Sequence, residues 1–177
     1  MPTYLALLRG INVGGNHKLP MAGLRQLLTE AGFGDVATYI QSGNVVFKSK
    51  KAKPAALATK IEDAIEDKFG FRPRTLVLSA DDFESAATAN PFPEAEADHK
   101  TLHLYFLSEK PAAPDLDKLH ALKLNGDDFK LIGTVFYLLA PGGVGRSKLA
   151  EKVERALGVA ATARNWRTVT KLREMLP

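Results

Sequence analysis

The chain has 177 residues, 45% hydrophobic and 25% charged, with a formal net charge of +4 and no cysteine. That length buries a real core in one domain or two small ones, and the missing cysteines exclude disulfides, thiolate metal sites and cysteine nucleophiles. The opening Met1-Pro2-Thr3-Tyr4-Leu5 lacks a signal peptide's basic region and no apolar run approaches the roughly 20 residues of a membrane helix, so a cytoplasmic protein with no membrane partner is expected.

Tyr4 to Leu8 is a short apolar run ended by Arg9-Gly10 and reads as a buried strand. Pro20 suits the first turn of a helix, and Met21, Leu24, Leu27, Leu28 and Ala31 follow at helical spacing, with Gly32 as the stop. Val36–Gln41 and Val45–Lys48 predict two strands around the turn Ser42-Gly43-Asn44. Leu57, Ile61, Ile65 and Phe69 mark a second amphipathic helix, and Thr75–Leu78 a fourth strand. The order β-α-β-β-α-β is that of a ferredoxin-like unit.

Ser79 is placed to cap a further helix, with Asp82 in the capping-box position. Asn90-Pro91-Phe92-Pro93 ends that helix, because two prolines two apart forbid regular helix. The second half repeats the order. Thr101–Leu107 is a strand with Leu102, Leu104 and Phe106 on one face, and Leu116, Leu119 and Leu122 predict a short helix. Phe129–Ile132 and Val135–Leu139 flank the hairpin turn Gly133-Thr134. Leu149, Val153, Ala156 and Leu157 form a helix capped by Ser147, and Thr168–Met175 is an extra last helix. The string Lys60–Ile65 leading to Phe69-Gly70 echoes Lys152–Leu157 leading to Gly158, which an internal duplication explains. The expected fold is therefore α+β, two tandem ferredoxin-like halves with antiparallel sheets. Residues 1–79 form the first half, 80–100 a helical, proline-containing linker, and 101–177 the second half with its extra helix.

Charge is unevenly spread. Residues 80–99 hold six acids and no Lys or Arg, leaving 14 of the 20 acids elsewhere against all 24 Lys and Arg, a net of +10. Lys48, Lys50, Lys51 and Lys53 form one basic run, and residues 146–177 hold eight basic residues against three acids. Such patches attract anions, nucleic acid included, but are also ordinary solvated surface.

The most unusual feature is the loop Gly10-Ile11-Asn12-Val13-Gly14-Gly15 between a strand and a helix. Glycines let backbone N–H groups approach an anion, and a helix N-terminus adds positive potential. The spacing matches neither the P-loop nor the Gly-x-Gly-x-x-Gly pattern, and a loop that merely needs positive φ is the competing account. A second glycine-rich stretch, Pro141–Lys148, also misses the P-loop, with Ala140 and Arg146 where Gly and Lys belong. Gln41, Ser42 and Asn44 cluster at a turn, and Ser42 is not in a nucleophile elbow. Arg164, Asn165 and Trp166 combine a stacking ring with a phosphate-binding fork, though a lone tryptophan also anchors helices into cores. His17, His99, His103 and His120 make no metal-ligand pattern, since His99 and His103 are four apart on a strand rather than a helix. No metal, cofactor or catalytic residue is assigned.

The strings Leu7–Gly15, Thr38–Val45, Asn90–Pro93 and Thr162–Thr168 resemble a widespread bacterial family catalogued as a domain of unknown function, number sixteen ninety-seven. The likeness spans essentially the whole chain, with Ala163 standing where the family usually has a polar residue. It implies an α+β fold of duplicated ferredoxin-like units and no known activity. It also implies that Arg9, Asn12, Gln41, Ser42, Asn44, Arg164 and Asn165, which lie in its signature strings, are candidates for one shared site.

The leading expectation is a site for a phosphate-bearing or other anionic small molecule formed by Arg9, Asn12, Gly14, Gly15, Gln41, Ser42 and Asn44. Arg164, Asn165 and Trp166 are secondary candidates. In a ferredoxin-like unit the first and third strands are adjacent, so the loop leaving one and the turn entering the other can meet. The alternatives are single-stranded nucleic-acid binding, for which Gly43–Phe47 lacks the Lys/Arg-Gly-aromatic start of RNA-recognition modules, and a structural or protein-interaction role.

Overall fold

The computed structural model describes residues 1–177. The apolar run at the start of the chain becomes β1 (Thr3–Arg9), and its place in the sheet explains its lack of polar alternation. β1 is flanked by β3 (Asn44–Lys48) and β4 (Arg74–Ser79), with β2 (Gly34–Tyr39) beyond β3. The order is β2-β3-β1-β4 and every pairing is antiparallel. Tyr4, Ala6 and Leu8 pack with Val45, Phe47 and Val77 against Leu24 and Leu28 of α1 (Met21–Glu30) and Ile61 and Ile65 of α2 (Pro54–Phe69). Leu5 and Leu7, on the alternate face of β1, are fully buried as well.

The second sheet repeats this plan. β5 (Leu102–Leu107) lies between β7 (Val135–Leu139) and β8 (Ala161–Asn165), with β6 (Asp128–Ile132) beyond β7, the order β6-β7-β5-β8. Phe136 and Leu138 pack with Leu119 of α4 (Leu116–Ala121) and Leu149, Val153 and Leu157 of α5 (Lys148–Leu157). Both sheets thus have the ferredoxin-like order expected from the sequence. The chain divides into two compact units, Met1–Ser85 with Lys171–Pro177, and Ala86–Thr170. No helix is long and apolar enough to cross a membrane.

The expected caps form. The Ser79 hydroxyl accepts the Asp82 amide at 3.1 Å and donates to the Asp82 carboxylate at 2.6 Å, starting α3 (Ala80–Thr88). The Ser147 hydroxyl accepts the Ala150 amide at 3.2 Å at the start of α5. α2 and α5 end alike, with the Gly70 amide donating to the Glu66 carbonyl (2.9 Å) and the Gly158 amide to the Glu154 carbonyl (3.0 Å). The two prolines open a 3-10 turn over Pro93–Ala97.

Three elements differ from expectation. β2 ends at Tyr39, not Gln41, because Ile40 adopts a left-handed φ of 47° and turns the chain. β8 was not located from the sequence, since Ala-Thr-Ala-Arg-Asn has little of the β-branched and aromatic content that marks a strand; its ladder to β5 supplies the order that propensity lacks. The last helix, α6 (Trp166–Glu174), begins two residues before Thr168, because Asn165 Oδ1 accepts the Thr168 amide at 2.9 Å and so caps it.

Candidate functional site

The glycines of the first loop build a hairpin. Val13 bridges Asn16, the Asn16 amide donates to the Val13 carbonyl (3.0 Å), and the Asn12 amide donates to the His17 carbonyl (3.1 Å). Gly14 and Gly15 occupy the two central positions with φ of 59° and 78°. Positive φ at both positions defines a type I′ turn, which Gly-Gly adopts without steric cost.

The Asn12 side chain fastens this hairpin. Its Oδ1 accepts the Leu19 amide at 2.8 Å, and its Nδ2 donates to the carbonyls of Leu19 (3.0 Å) and Gln41 (2.8 Å). The last bond ties the loop after β1 to the turn between β2 and β3. A backbone bond from the Leu8 amide to the Gly43 carbonyl, at 2.8 Å, joins the same two segments. Gly43 lies so close that a Cβ there would stand 2.6 Å from Leu8 Cβ and 2.9 Å from Ile11 Cδ1. Asn44 is fully buried, and its Nδ2 donates to the Tyr39 carbonyl and to Ser42 Oγ, both at 3.0 Å. The two asparagines therefore shape the corner, and their amide groups are spent on its backbone and on Ser42.

The exposed groups at this corner are Arg9, Val13 to Lys18, and Ile40 to Ser42. The ladder adds one residue that sequence reasoning missed: Arg74, also exposed, pairs directly with Arg9 across β1 and β4. Only strand register sets these two arginines opposite each other, so no local motif could have marked Arg74. α1 begins nearby at Met21 with no side-chain cap and no acid in its first turn, which leaves its dipole uncompensated. Arg72, close to Arg74 in sequence, bonds Asp63 and Glu66 (3.0 Å to the latter) and pairs with Glu62 at 3.2 Å, so three acids of α2 hold its charge and push its pKa up. The His17 ring stacks on Phe71 at 4.7 Å, and His17 Nδ1 lies 3.1 Å from the Gly10 carbonyl.

The secondary candidates sit in the other unit. Arg164 is buried, donates to the Ala163 carbonyl at 2.8 Å, and has its pKa pushed down to about 10 by desolvation. Trp166 is buried, and Asn165 is the cap described above. His103 Nδ1 is buried without a partner, and burial lowers the His103 pKa to about 4. No group of three or more His, Asp or Glu is arranged to hold a metal ion.

Two cavities lie away from the first loop. One of about 520 Å³ is at the opposite end of the first sheet, lined by Thr3, Tyr4, Lys51, Ser79 and Asp81 among others. One of about 100 Å³ lies beside the second glycine-rich stretch, between Asn125, Asp127, Arg146 and Ser147. Ser147 Oγ also donates to Asp127 at 3.1 Å there, so the polar lining is largely paired with itself. The first-loop corner is instead exposed at Arg9, Val13 to Lys18 and Ile40 to Ser42.

A family described as "Protein of unknown function (DUF1697)" matches residues 1–137. The chain belongs to that family. The matched span holds the whole first-loop corner and stops within β7, so Arg164, Asn165 and Trp166 lie beyond it. Among solved structures, a conserved bacterial protein, SP0830 from Streptococcus pneumoniae, is similar over 99% of both chains, with 30% identity and a TM-score of 0.73. No curated protein matches the chain.

Proposed function

We propose that this member of the family binds a phosphate-bearing or other anionic small molecule at the corner formed by Arg9, Arg74 and the first glycine loop. The observation that carries the reading is the direct pairing of Arg9 with Arg74 beside two loops tied together by Asn12. A phosphate placed there accepts forked hydrogen bonds from both guanidinium groups. The exposed amides of Gly14 and Gly15 and the side chains of Gln41 and Ser42 orient the rest of the ligand. Asn12 and Asn44 act indirectly, by holding the loops. A cytoplasmic location, motivated by the absence of cysteine, belongs to the same reading. The shared strand orders and the matching glycine caps after α2 and α5 support an origin by internal duplication.

Titration of nucleotides and sugar phosphates against the thermal midpoint tests the proposal. A ligand at a hundred times its Kd adds about 2.7 kcal/mol of stability, a readily measured rise. Arg9→Ala and Arg74→Ala should each abolish most of it. The proposal fails if no ligand raises the midpoint of the wild-type chain, or if both variants keep the full rise.

Binding of single-stranded nucleic acid on the sheets finds less support. The central strands present Leu5 and Leu7, or Leu104 and Phe106, on the faces away from α1, α2, α4 and α5, and all four side chains are buried. RNA-recognition modules need exposed aromatics at such positions.

A further inference from the structure

Charge does not account for everything at the first-loop corner. Val13 is 66% exposed and Ile40 49% exposed, whereas the other large apolar side chains of β1 to β4 and their connections are buried or half-buried. Ile40 also has φ 47°. A β-branched residue in the left-handed region is a genuine outlier, and a turn position with that backbone favours Gly or Asn. Two unfavourable features, an exposed apolar surface and a strained backbone, thus coincide on one side chain. Strain of this kind persists where the surroundings over-determine it, and it clusters at ligand clamps. The bond from Asn12 Nδ2 to the Gln41 carbonyl joins the two segments that carry Val13 and Ile40, each one residue from it. In the order β2-β3-β1-β4, Ile40, the residue after β2, is two strand steps from Arg9 at the end of β1, about 10 Å between backbones. A ligand with a phosphate at one end and a flat apolar group at the other can bridge such a span.

We propose that the ligand of this corner is a mononucleotide, with its phosphate on Arg9 and Arg74 and its base lying against Val13 and Ile40. The proposal rests on the anion-binding reading above and adds the class of ligand. A flat base laid on two aliphatic side chains removes apolar area from water on both partners. Inorganic phosphate and a sugar phosphate make the arginine contacts only. The αL backbone at Ile40 is then the cost of presenting a branched apolar group where a turn would otherwise carry Asn or Gly.

The test compares inorganic phosphate, ribose 5-phosphate, adenosine and the four ribonucleoside monophosphates by calorimetric titration of the full chain. At least one mononucleotide should bind about tenfold or more tighter than ribose 5-phosphate. Ile40→Gly should raise the thermal midpoint of the free protein, by releasing strain, while lowering mononucleotide affinity about tenfold and leaving ribose 5-phosphate unaffected. Val13→Asp, on the exposed hairpin, should act on mononucleotide affinity in the same direction. Equal affinity for mononucleotides and ribose 5-phosphate, or mononucleotide affinity unchanged in both variants, overturns the base contact while the anion reading stands. If no phosphate compound binds at all, the anion reading falls and this inference falls with it.

Discussion

The same corner exists in both sheets, and the two carry different residues. In the first unit the Leu8 amide reaches back to the Gly43 carbonyl at 2.8 Å, and in the second the Leu107 amide reaches the Thr134 carbonyl at 2.9 Å. These bonds join the end of the central strand to the neighbouring hairpin turn in each sheet, so they belong to the fold. The rest diverges. Arg9 pairs with Arg74, whereas the corresponding positions one residue past Leu107 and its partner Ala161 are Ser108 and Ala160, joined by a backbone bond of 2.9 Å. The turn of the first unit spans Ile40 to Gly43, and that of the second only Gly133-Thr134. The connection after β1 carries three glycines, Gly10, Gly14 and Gly15, and that after β5 carries Pro111 and Pro114 and no glycine. The arginine pair, the longer turn and the glycine loop are what the first corner adds to a scaffold that both share.

The largest expected effect concerns the turn glycines. Gly43→Ala forces a Cβ to within 2.6 Å of Leu8 Cβ at a φ of 85°, and overpacking plus a left-handed alanine should cost about 4 kcal/mol. In the turn of the second unit, Gly133→Ala meets nothing within 4 Å at a φ of 58°, so only the backbone penalty of about 1 kcal/mol applies. Denaturant melts of the two variants measure the difference; equal losses would show that the first corner is not the tighter one.

Next comes acid sensitivity, which should trace to the second unit. Burial lowers His103 from its ordinary 6.5 to about 4. Between those values the unfolded chain holds a proton that the folded chain rejects. Stability should therefore be fully present above about pH 6.5 and fall as the pH drops toward 4, by about 3 kcal/mol in all. His103→Leu should flatten that part of a stability profile measured by denaturation at each pH. An unchanged slope would assign the acid response to other groups.

The Asn12 staple has no counterpart after β5. Asn12→Ala removes three hydrogen bonds, one of them to the amide of fully buried Leu19, and should cost about 2 kcal/mol. It should also raise hydrogen exchange in the loop after β1 without doing so in β5 to β8. The smallest effect is expected at Asn165. Losing the α6 cap in Asn165→Ala should cost about 1 kcal/mol and leave ligand binding at the first corner unchanged, whereas a loss of binding would bring Asn165 back into the site.

Much of the fold was legible because local patterns and tertiary roles agreed. Leu57, Ile61 and Ile65 marked α2 by spacing, and the same three residues are buried. Ser79 and Ser147 were readable as caps because a cap is a contact between residues three apart. β8 was illegible for the opposite reason. Thr162 and Arg164 are buried in it, but nothing in Ala-Thr-Ala-Arg-Asn anticipates a partner 60 residues earlier, as the pairing of Leu104 with Arg164 requires. The site divides in the same way. Glycines at 10, 14 and 15 announced an unusual loop, but the turn they make is a hairpin tip, and which polar groups remain for a ligand depended on bonds to Leu19 and Gln41.

The sequence by itself determined the first βαββαβ order, the second up to its last strand, the principal helices and the presence of two special loops, because periodicity, capping and turn chemistry act over a few residues. Only the tertiary structure decided that Arg9 faces Arg74, that Asn12 is a staple, and that Ile40 is held strained and exposed beside them. Those facts depend on strand register and on contacts across 29 to 65 positions of chain, where side-chain type alone carries no information about the partner.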